Sequence, residues 1–341
     1  RSDPYIPGEQ LNDPEIIKLN TNENPYPPSP QVLEAIQKEV GETLRLYPSP
    51  TVDTLREEIA DFYGLTKENV FVGNGSDEVL AFSFMAFFEP GRKIRYPEIT
   101  YSFYPVYANL FNIPVEEIPL QPDFSINASD FFQSEGGVIF PNPNAPTSIY
   151  LKLEAIEEIL KNNRDHVVIV DEAYIDFAEE SAVSLLNKYD NLLVIQTMSK
   201  SRSLAGLRVG FALGSEELIE GLVRIKDSFN SYTIDRLAIV GATAAIRDKE
   251  YFLETTNKII ATREWTKKQL KKRGFSVLPS QTNFLFTTHP EKDAGMLYEQ
   301  LKARKILIRY FNKPKIDQYL RITIGTDEEM KTLFDVLDDL S

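Results

Sequence analysis

The stretch 192–200 reads LLVIQTMSK, in which four apolar residues, Leu192–Ile195, lead into a polar segment that ends at Lys200. A short, continuously apolar run predicts a strand that is buried on both faces. Similar runs occur at 70–72, 138–140, 167–170 and 209–213. Helical patterns, for example at Leu153–Leu160, lie between several of these runs. Strands that alternate with helices indicate an α/β fold, with a mainly parallel central sheet and helices on both faces.

The pattern changes on both sides of this region. Residues 1–30 are rich in Pro and Asn and have little periodicity, so we expect an extended arm that packs with a small domain or with a partner subunit. We expect residues 31–245 to form a large, ligand-binding domain. Long helices and short strand candidates, such as 305–309, dominate after about residue 215. They predict a smaller α+β domain at 246–341.

The composition excludes several kinds of site. The chain of 341 residues has no cysteine, which excludes disulfides, thiolate zinc sites and a cysteine nucleophile. Both histidines, His166 and His289, fall in predicted loops, so we expect no metal site. A net charge of −14 argues against nucleic-acid binding. The most apolar stretch, Val79–Phe88, is too short to span a bilayer, and we expect no membrane partner and a cytoplasmic location.

Chemically useful groups follow four of the predicted strands. Ligands of open parallel sheets bind at the carboxyl ends of the strands. The segments at those ends are Asp171–Tyr174, Thr197–Lys200, Gly73–Glu78 and Pro141–Asn144. Each segment alone has an ordinary explanation as a turn, a helix cap or a solvated surface. Their joint occurrence at successive strand ends predicts a single site.

Pyridoxal phosphate (PLP) chemistry requires this set of groups. Lys200 offers the amine for a Schiff base. Asp171 offers a carboxylate that keeps a pyridine nitrogen protonated. A helix N-terminus favours a phosphate, and hydroxyls and a guanidinium can complete the phosphate site. The residues predicted to bind the phosphate are Gly75, Ser76, Asp77, Thr197, Ser199 and Arg208.

The segments Thr197–Lys200 and Ala205–Gly210 resemble the cofactor-lysine motif of fold-type-I, class-II aminotransferases. Within that group, the chain is similar to the histidinol-phosphate aminotransferase family over nearly its whole length. The supporting segments are Tyr5–Glu9, Leu19–Pro25, Leu46–Pro48, Val170–Tyr174 and Leu320–Gly325. The resemblance implies the PLP-dependent transferase fold of type I.

The resemblance also implies roles for individual residues. Lys200 forms the Schiff base and then moves a proton, and Asp171 pairs with the ring nitrogen of PLP. Tyr174 bonds the ring hydroxyl, and Tyr101 stacks on the ring. Tyr47 reaches the cofactor phosphate of a neighbouring subunit, which implies a homodimer with shared active sites. The residues implied to face the substrate are Tyr5, Asn22, Arg309 and Arg321.

Two positions depart from the family pattern. Ala145 stands where the family has an asparagine that bonds the ring hydroxyl. Either Asn144 takes that role or Tyr174 fills it alone. Ser201–Ser203 replaces the family's usual small and aromatic residues after the lysine, and we expect no effect on the chemistry.

The implied reaction is transamination of L-histidinol phosphate with 2-oxoglutarate, which gives imidazole-acetol phosphate and L-glutamate in histidine biosynthesis. An aromatic-amino-acid aminotransferase would share every cofactor residue. A PLP decarboxylase of a phosphorylated amino acid would share the fold. The non-enzyme alternative, a PLP-fold regulator, usually carries a DNA-binding domain, for which we find no basic sequence.

Overall fold

A seven-stranded sheet forms the centre of the computed structural model, which describes residues 3–340. The strands are β1 (Ile17–Lys18), β2 (Val70–Asn74), β3 (Ile94–Pro97), β4 (Val115–Ile118), β5 (Val138–Pro141), β6 (Val168–Asp171), β7 (Leu192–Thr197), β8 (Val209–Gly214), β9 (Ser276–Val277), β10 (Phe284–Thr288), β11 (Ile306–Leu307), β12 (Arg309–Tyr310) and β13 (Leu320–Thr323). The helices are α1 (Pro30–Glu39), α2 (Asp53–Tyr63), α3 (Gly75–Phe87), α4 (Phe103–Leu110), α5 (Leu153–Lys161), α6 (Glu216–Phe229), α7 (Arg236–Arg247), α8 (Lys249–Lys272), α9 (Ala294–Ala303) and α10 (Asp327–Asp339).

The central sheet is mainly parallel. Its strand order is β2-β8-β7-β6-β5-β3-β4, and β8 runs antiparallel to both of its neighbours. Successive residues of β6 pack in the hydrophobic cores on opposite faces of the sheet. Val168 and Val170 belong to the core on one face, and Ile169 belongs to the core on the other. Both faces are therefore covered, as the continuously apolar strands predict. The predicted α/β fold is confirmed.

A second core lies at the C-terminal end of the chain. A four-stranded antiparallel sheet, in the order β12-β13-β10-β9, packs with α8, α9 and α10 around residues such as Leu285 and Leu333. Ile246 of α7 belongs to a core of the large sheet, whereas Ile259 of α8 belongs to this second core. The division between residues 245 and 246 stays a prediction.

The expectation of one strand at 305–309 is wrong in detail. The segment forms two short strands that join different sheets: β11 pairs in parallel with β1 of the N-terminal segment, and β12 pairs with β13. The arm is therefore attached to the C-terminal region through Ile17 and Lys18. Within residues 3–340, no helix has the length and apolar character needed to cross a membrane.

Candidate active site

A pocket opens at the carboxyl edge of the large sheet, where β2, β5, β6 and β7 end. Predicted site residues that line it are Tyr5, Asn22, Ser76, Asp77, Tyr101, Asp171, Tyr174, Thr197, Ser199, Lys200, Arg208, Arg309 and Arg321. The predicted residues outside this lining are Gly75, Asn144 and Tyr47. No group of three or more acidic or histidine side chains within residues 3–340 is arranged to hold a metal ion.

Lys200 lies in the loop that follows β7. Its Nζ donates a hydrogen bond to the carbonyl oxygen of Thr21, at 3.1 Å. Burial, together with the nearby charge of Arg321, lowers the pKa of Lys200 to about 8. The side chain of Asn24 fixes the loop, because its Nδ2 donates to the carbonyl oxygens of Lys200 and Ser201. The amine is thus held in place and is easier to deprotonate than a surface lysine.

Asp171 is the last residue of β6, and one of its two carboxylate oxygens has a hydrogen-bond partner while the other has none. Its Oδ2 accepts a hydrogen bond from the Tyr104 hydroxyl at 2.7 Å, whereas Oδ1 is buried without a partner. Burial raises the pKa of Asp171 to about 6, although the bond from Tyr104 opposes the rise. A protonated ring nitrogen beside Oδ1 would supply the missing donor and keep the carboxylate ionised. This unpaired buried oxygen fits PLP.

The N-terminus of α3 forms one side of the candidate phosphate site. Gly75 begins the helix with φ at +77°, and the helix has no side-chain cap. Gly210 of β8 lies so close that an added Cβ would be 2.3 Å from the Ser76 nitrogen. This close approach places Arg208, which directly precedes β8, beside the helix, with Nη2 at 3.3 Å from Oδ2 of Asp77. Free N–H groups and a guanidinium therefore converge, as a phosphate requires.

Two hydroxyls complete this arrangement. Thr197 ends β7, and its Oγ1 donates to Oγ of Ser199 at 3.0 Å. The Ser199 N–H donates to the same Thr197 oxygen. The pair faces the pocket from the loop that carries Lys200.

Tyr174 and Asn22 are joined in the wall of the pocket. Nδ2 of Asn22 donates to the Tyr174 hydroxyl at 2.9 Å, and Oδ1 of Asn22 accepts from Thr323. Lys200 Nζ lies 5.8 Å from the centre of the Tyr174 ring. Tyr174 is therefore held close to the reactive lysine.

The side chain of Asn144 forms hydrogen bonds with neighbouring loop residues, a role that the sequence does not predict. Its Nδ2 donates to the Ile99 carbonyl and to Oγ1 of Thr147, and its Oδ1 accepts from Thr100. Both N–H groups are used, so the predicted contact of Asn144 with the ring hydroxyl has no free donor. Ala145 lines the pocket instead.

The two aromatic residues assigned to the cofactor lie in different places. Tyr101 borders the pocket, and its hydroxyl donates to Oδ1 of Asp77 at 2.9 Å. Tyr47 lies outside the pocket of its own chain, is 77% exposed and stacks on Tyr232, with ring centres 4.6 Å apart.

Arg309 and Arg321 share one wall of the pocket. They are opposite each other in the pairing of β12 with β13. Nη2 of Arg321 donates to the Asn20 carbonyl at 2.8 Å, but its Nε is buried without a partner. Among the described residues, the Arg309 side chain has no hydrogen-bonding or ion-pair partner, and its guanidinium lies 5.1 Å from the Phe311 ring. The wall has unused donors and positive charge, which suit an anion.

Tyr104 and Glu172 are absent from the sequence prediction. Tyr104 lies in an aromatic-rich segment that gives no signal for its bond to Asp171. Glu172 is buried and accepts hydrogen bonds from Ser181, from the Ala182 N–H and from Gln196. Burial raises the pKa of Glu172 to about 7. Its position next to Asp171 is the only sequence signal for it.

The chain is similar to known aminotransferases along nearly its whole length. The family model "Aminotransferase class I and II" matches residues 14–337. Histidinol-phosphate aminotransferase 1 of Oceanobacillus iheyensis is 64% identical over 338 residues, which cover 99% of this chain and 95% of that protein. Histidinol-phosphate aminotransferase of Clostridium acetobutylicum is 58% identical, covering 99% of this chain and 96% of that protein.

Solved structures share the fold. The crystal structure of a histidinol-phosphate aminotransferase from Clostridium acetobutylicum has a TM-score of 0.88 at 24% identity, covering 95% of this chain and 99% of that chain. The crystal structure of a histidinol-phosphate aminotransferase from Sinorhizobium meliloti, in complex with pyridoxal-5′-phosphate, has a TM-score of 0.85 at 24% identity. It covers 95% of this chain and 91% of that chain. The shared fold agrees with the family resemblance of the sequence. The close relatives and the residues that line the pocket agree with it as well. The chain belongs to the class I and II aminotransferase family, among the histidinol-phosphate aminotransferases.

Proposed function

We propose that this chain is a PLP-dependent aminotransferase that transfers the amino group of L-histidinol phosphate to 2-oxoglutarate in histidine biosynthesis. The products are imidazole-acetol phosphate and L-glutamate. The observation that carries this proposal is the placement of two arginines, Arg309 and Arg321, in the pocket that also contains Lys200 and Asp171. The relatives named histidinol-phosphate aminotransferase support it.

The residues that would hold PLP fit the group. Lys200 would bind it covalently, Asp171 would pair with the ring nitrogen through the unpartnered Oδ1, and Arg208 would hold the phosphate at the start of α3. When bound, PLP accepts electrons from the substrate carbon that carries the amino group. A buried carboxylate strengthens this effect because it keeps the ring nitrogen protonated.

Lys200 is suited to proton transfer. Its pKa of about 8 lies closer to neutral pH than that of an ordinary lysine, as a catalytic base requires. In the proposed reaction, Nζ would remove the proton from the carbon that bears the substrate amine and would donate it to the cofactor carbon that is bonded to the same nitrogen, as the transfer of the amino group requires. The Thr21 carbonyl, which accepts from Nζ, keeps the amine oriented toward the pocket.

The arginine pair explains the preference for a phosphorylated substrate. Histidinol phosphate has no carboxylate, so its phosphate must be the anionic group that the enzyme recognises. A phosphate has nearly two negative charges and three acceptor oxygens, and guanidinium groups match this geometry. The free guanidinium of Arg309 and the unused Nε of Arg321 supply donors for it.

A second candidate is an aromatic-amino-acid aminotransferase. Tyr5 stacks on Phe103, with ring centres 4.1 Å apart, and this aromatic surface beside the pocket would accept phenylalanine as well as an imidazole. One arginine would then bind the carboxylate, and the second would lack a role. Amino transfer from histidinol phosphate, measured against transfer from phenylalanine and tyrosine, tests the proposal. Faster turnover of phenylalanine would favour the second candidate. Carbon dioxide release from a phosphorylated amino acid would instead identify a decarboxylase.

We also propose a homodimer with shared active sites. Four exposed apolar or aromatic side chains lie within eight residues of sequence, at Val40, Leu44, Leu46 and Tyr47. Contiguous exposed apolar surface commonly marks an interface between proteins. Tyr47 does not line the pocket of its own chain, which supports its predicted role in the neighbouring subunit. The cytoplasmic location stays a prediction.

A further inference from the structure

The N-terminal arm passes over the mouth of the pocket. Tyr5, Gly8 and Gln10 of this segment line the pocket. The Tyr5 ring lies almost parallel to the ring of Phe103 in α4, at 13°. An added Cβ at Gly8 would lie 2.7 Å from Cγ2 of Thr21, so the arm passes closely over the segment whose carbonyl holds Lys200.

Glu9 attaches this arm to the C-terminal region. Its Oε1 accepts from Nζ of Lys302 at 2.8 Å, and its Oε2 accepts from the Tyr298 hydroxyl at 2.9 Å. Both partners belong to α9. The Glu9 carbonyl also accepts from Nδ2 of Asn20, at 2.8 Å. The bond from Lys302 lowers the pKa of Glu9, so its carboxylate stays charged near neutral pH.

The same helix is connected to the substrate arginine. Tyr298 stacks on Tyr310, with ring centres 6.0 Å apart, and Tyr310 directly follows Arg309. Nη1 of Arg309 lies 3.7 Å from the Cβ position of Gly8. Glu9 and Arg309 are therefore attached to one structural unit, whereas Phe103 belongs to the region of the large sheet.

We infer that Glu9 is a positioning residue that fixes the arm to α9, so that Tyr5 and Arg309 approach the substrate as one unit. The inference rests on the proposed function in one respect, that the pocket binds an amino compound with an anionic group. The two ends of the arm differ in strength. The Glu9 end has charge-assisted bonds and is followed by the β1–β11 pairing, whereas the Tyr5 end has ring contacts with Phe103 and Tyr101 and no hydrogen bond among the described residues. The ring contacts of Tyr5 are therefore the ones that separate to admit substrate.

A charge-swap series tests the anchor. E9K and K302E each break the pair, and the E9K/K302E double variant restores it with reversed charges. E291K is the matched control, because Glu291 is an exposed acid three residues before the same helix and its replacement makes the same charge change. The rate of chymotrypsin cleavage after Tyr5 is measured by mass spectrometry in the PLP-loaded enzyme without substrate, together with KM and kcat for histidinol phosphate.

We expect cleavage after Tyr5 to be about tenfold faster in E9K and K302E than in the wild type, because a protease cuts the arm when it is detached. We also expect KM to rise about tenfold, kcat to change less and PLP affinity to stay the same. The double variant recovers much of the resistance to cleavage and the low KM, and E291K behaves like the wild type. An unchanged cleavage rate in E9K, or a double variant no better than the single ones, overturns the anchor. Because the cleavage assay needs no substrate, it remains informative even if the wild type does not use histidinol phosphate, a result that would refute the proposed function alone.

Discussion

Arg309 and Arg321 are paired across neighbouring antiparallel strands, with both side chains directed at the same pocket. Like charges at directly opposed positions of a sheet destabilise it. A bound anion would offset this repulsion. A doubly charged phosphate would offset the repulsion between the two arginines better than a singly charged carboxylate would. The pairing of β12 with β13 therefore favours a phosphorylated substrate.

Arg309→Met should weaken the binding of histidinol phosphate far more than the binding of phenylalanine. A hydrogen bond to a charged group contributes roughly 1.5–3 kcal/mol, so we expect a loss of about ten- to a hundredfold in affinity for the phosphorylated substrate. Arg304→Met is the control, because Arg304 is an exposed arginine outside the pocket. Steady-state kinetics with both substrates provides the measurement. Equal losses for the two substrates would contradict the phosphate role.

Asp171→Asn should reduce turnover by orders of magnitude, while PLP remains bound. The amide has almost the same shape but no charge, so it cannot keep the ring nitrogen protonated. Tyr104→Phe is the comparison, since it removes the bond to Oδ2 and leaves the carboxylate in place, and it should cost much less. Turnover and cofactor content are measured for both variants. Near-normal turnover of Asp171→Asn would remove this carboxylate from the mechanism.

Position at a strand end accounts for the part of the site that the sequence predicts. Asp171 ends a strand and Lys200 follows one, both strands are recognisable from continuous apolar runs, and parallel strands bring their carboxyl ends to one edge. Arg208 reaches the same edge for a different reason, because β8 runs antiparallel and begins there. The direction of β8 is not visible in its apolar pattern, so the sequence predicts this arginine from the chemistry of a phosphate site and from the family motif, and not from its place in the sheet.

The remaining features depend on contacts between distant residues. Asn144 has an amide that suits the ring hydroxyl, but three neighbours brought together by the fold already occupy it. The segment 305–309 is apolar enough for one strand, yet its two halves find different partners. The attachment of Glu9 to α9 joins residues almost 300 positions apart. Local sequence patterns do not encode such pairings.

Lys200 should be the point of covalent attachment of PLP. The purified enzyme should be yellow, and borohydride should fix the cofactor on this residue, because its amine is buried in the pocket and has a lowered pKa. The Lys200→Ala variant should lack the yellow colour of covalently bound PLP, and it should have no turnover. Peptide mapping after reduction gives the position, and label on any other lysine would refute the assignment.

Tyr47 should act in a dimer. Its exposed ring lies outside the pocket of its own chain, and we expect the active species to have twice the mass of the 38.9 kDa chain. Sedimentation at assay concentration measures this mass. Tyr47→Phe should weaken PLP binding and leave the dimer intact, because only the hydroxyl is lost. A fully active monomer would exclude shared sites.

The stability of the cofactor-free protein should fall as pH rises from 5.5 to 7.5, and Glu172 should account for part of the fall. Burial raises its pKa to about 7, whereas an unfolded glutamate titrates near 4.3. The folded chain therefore binds this proton more tightly than the unfolded chain. The resulting stabilisation is complete below about pH 4 and is lost as pH rises through about 7. Over the stated range the loss is on the order of 1–2 kcal/mol.

Glu172→Gln should flatten this dependence, because glutamine does not titrate. Glu157→Gln is the control: the bond from Tyr189 lowers the pKa of Glu157, so this group is ionised in both states above pH 5.5. Urea denaturation at pH 5.5 and 7.5 gives the free energy of unfolding for each variant. The change in that free energy between the two pH values should be smaller in Glu172→Gln and unaltered in Glu157→Gln. If Glu172→Gln changes with pH as much as the wild type does, Glu172 is already ionised in the folded protein at pH 5.5.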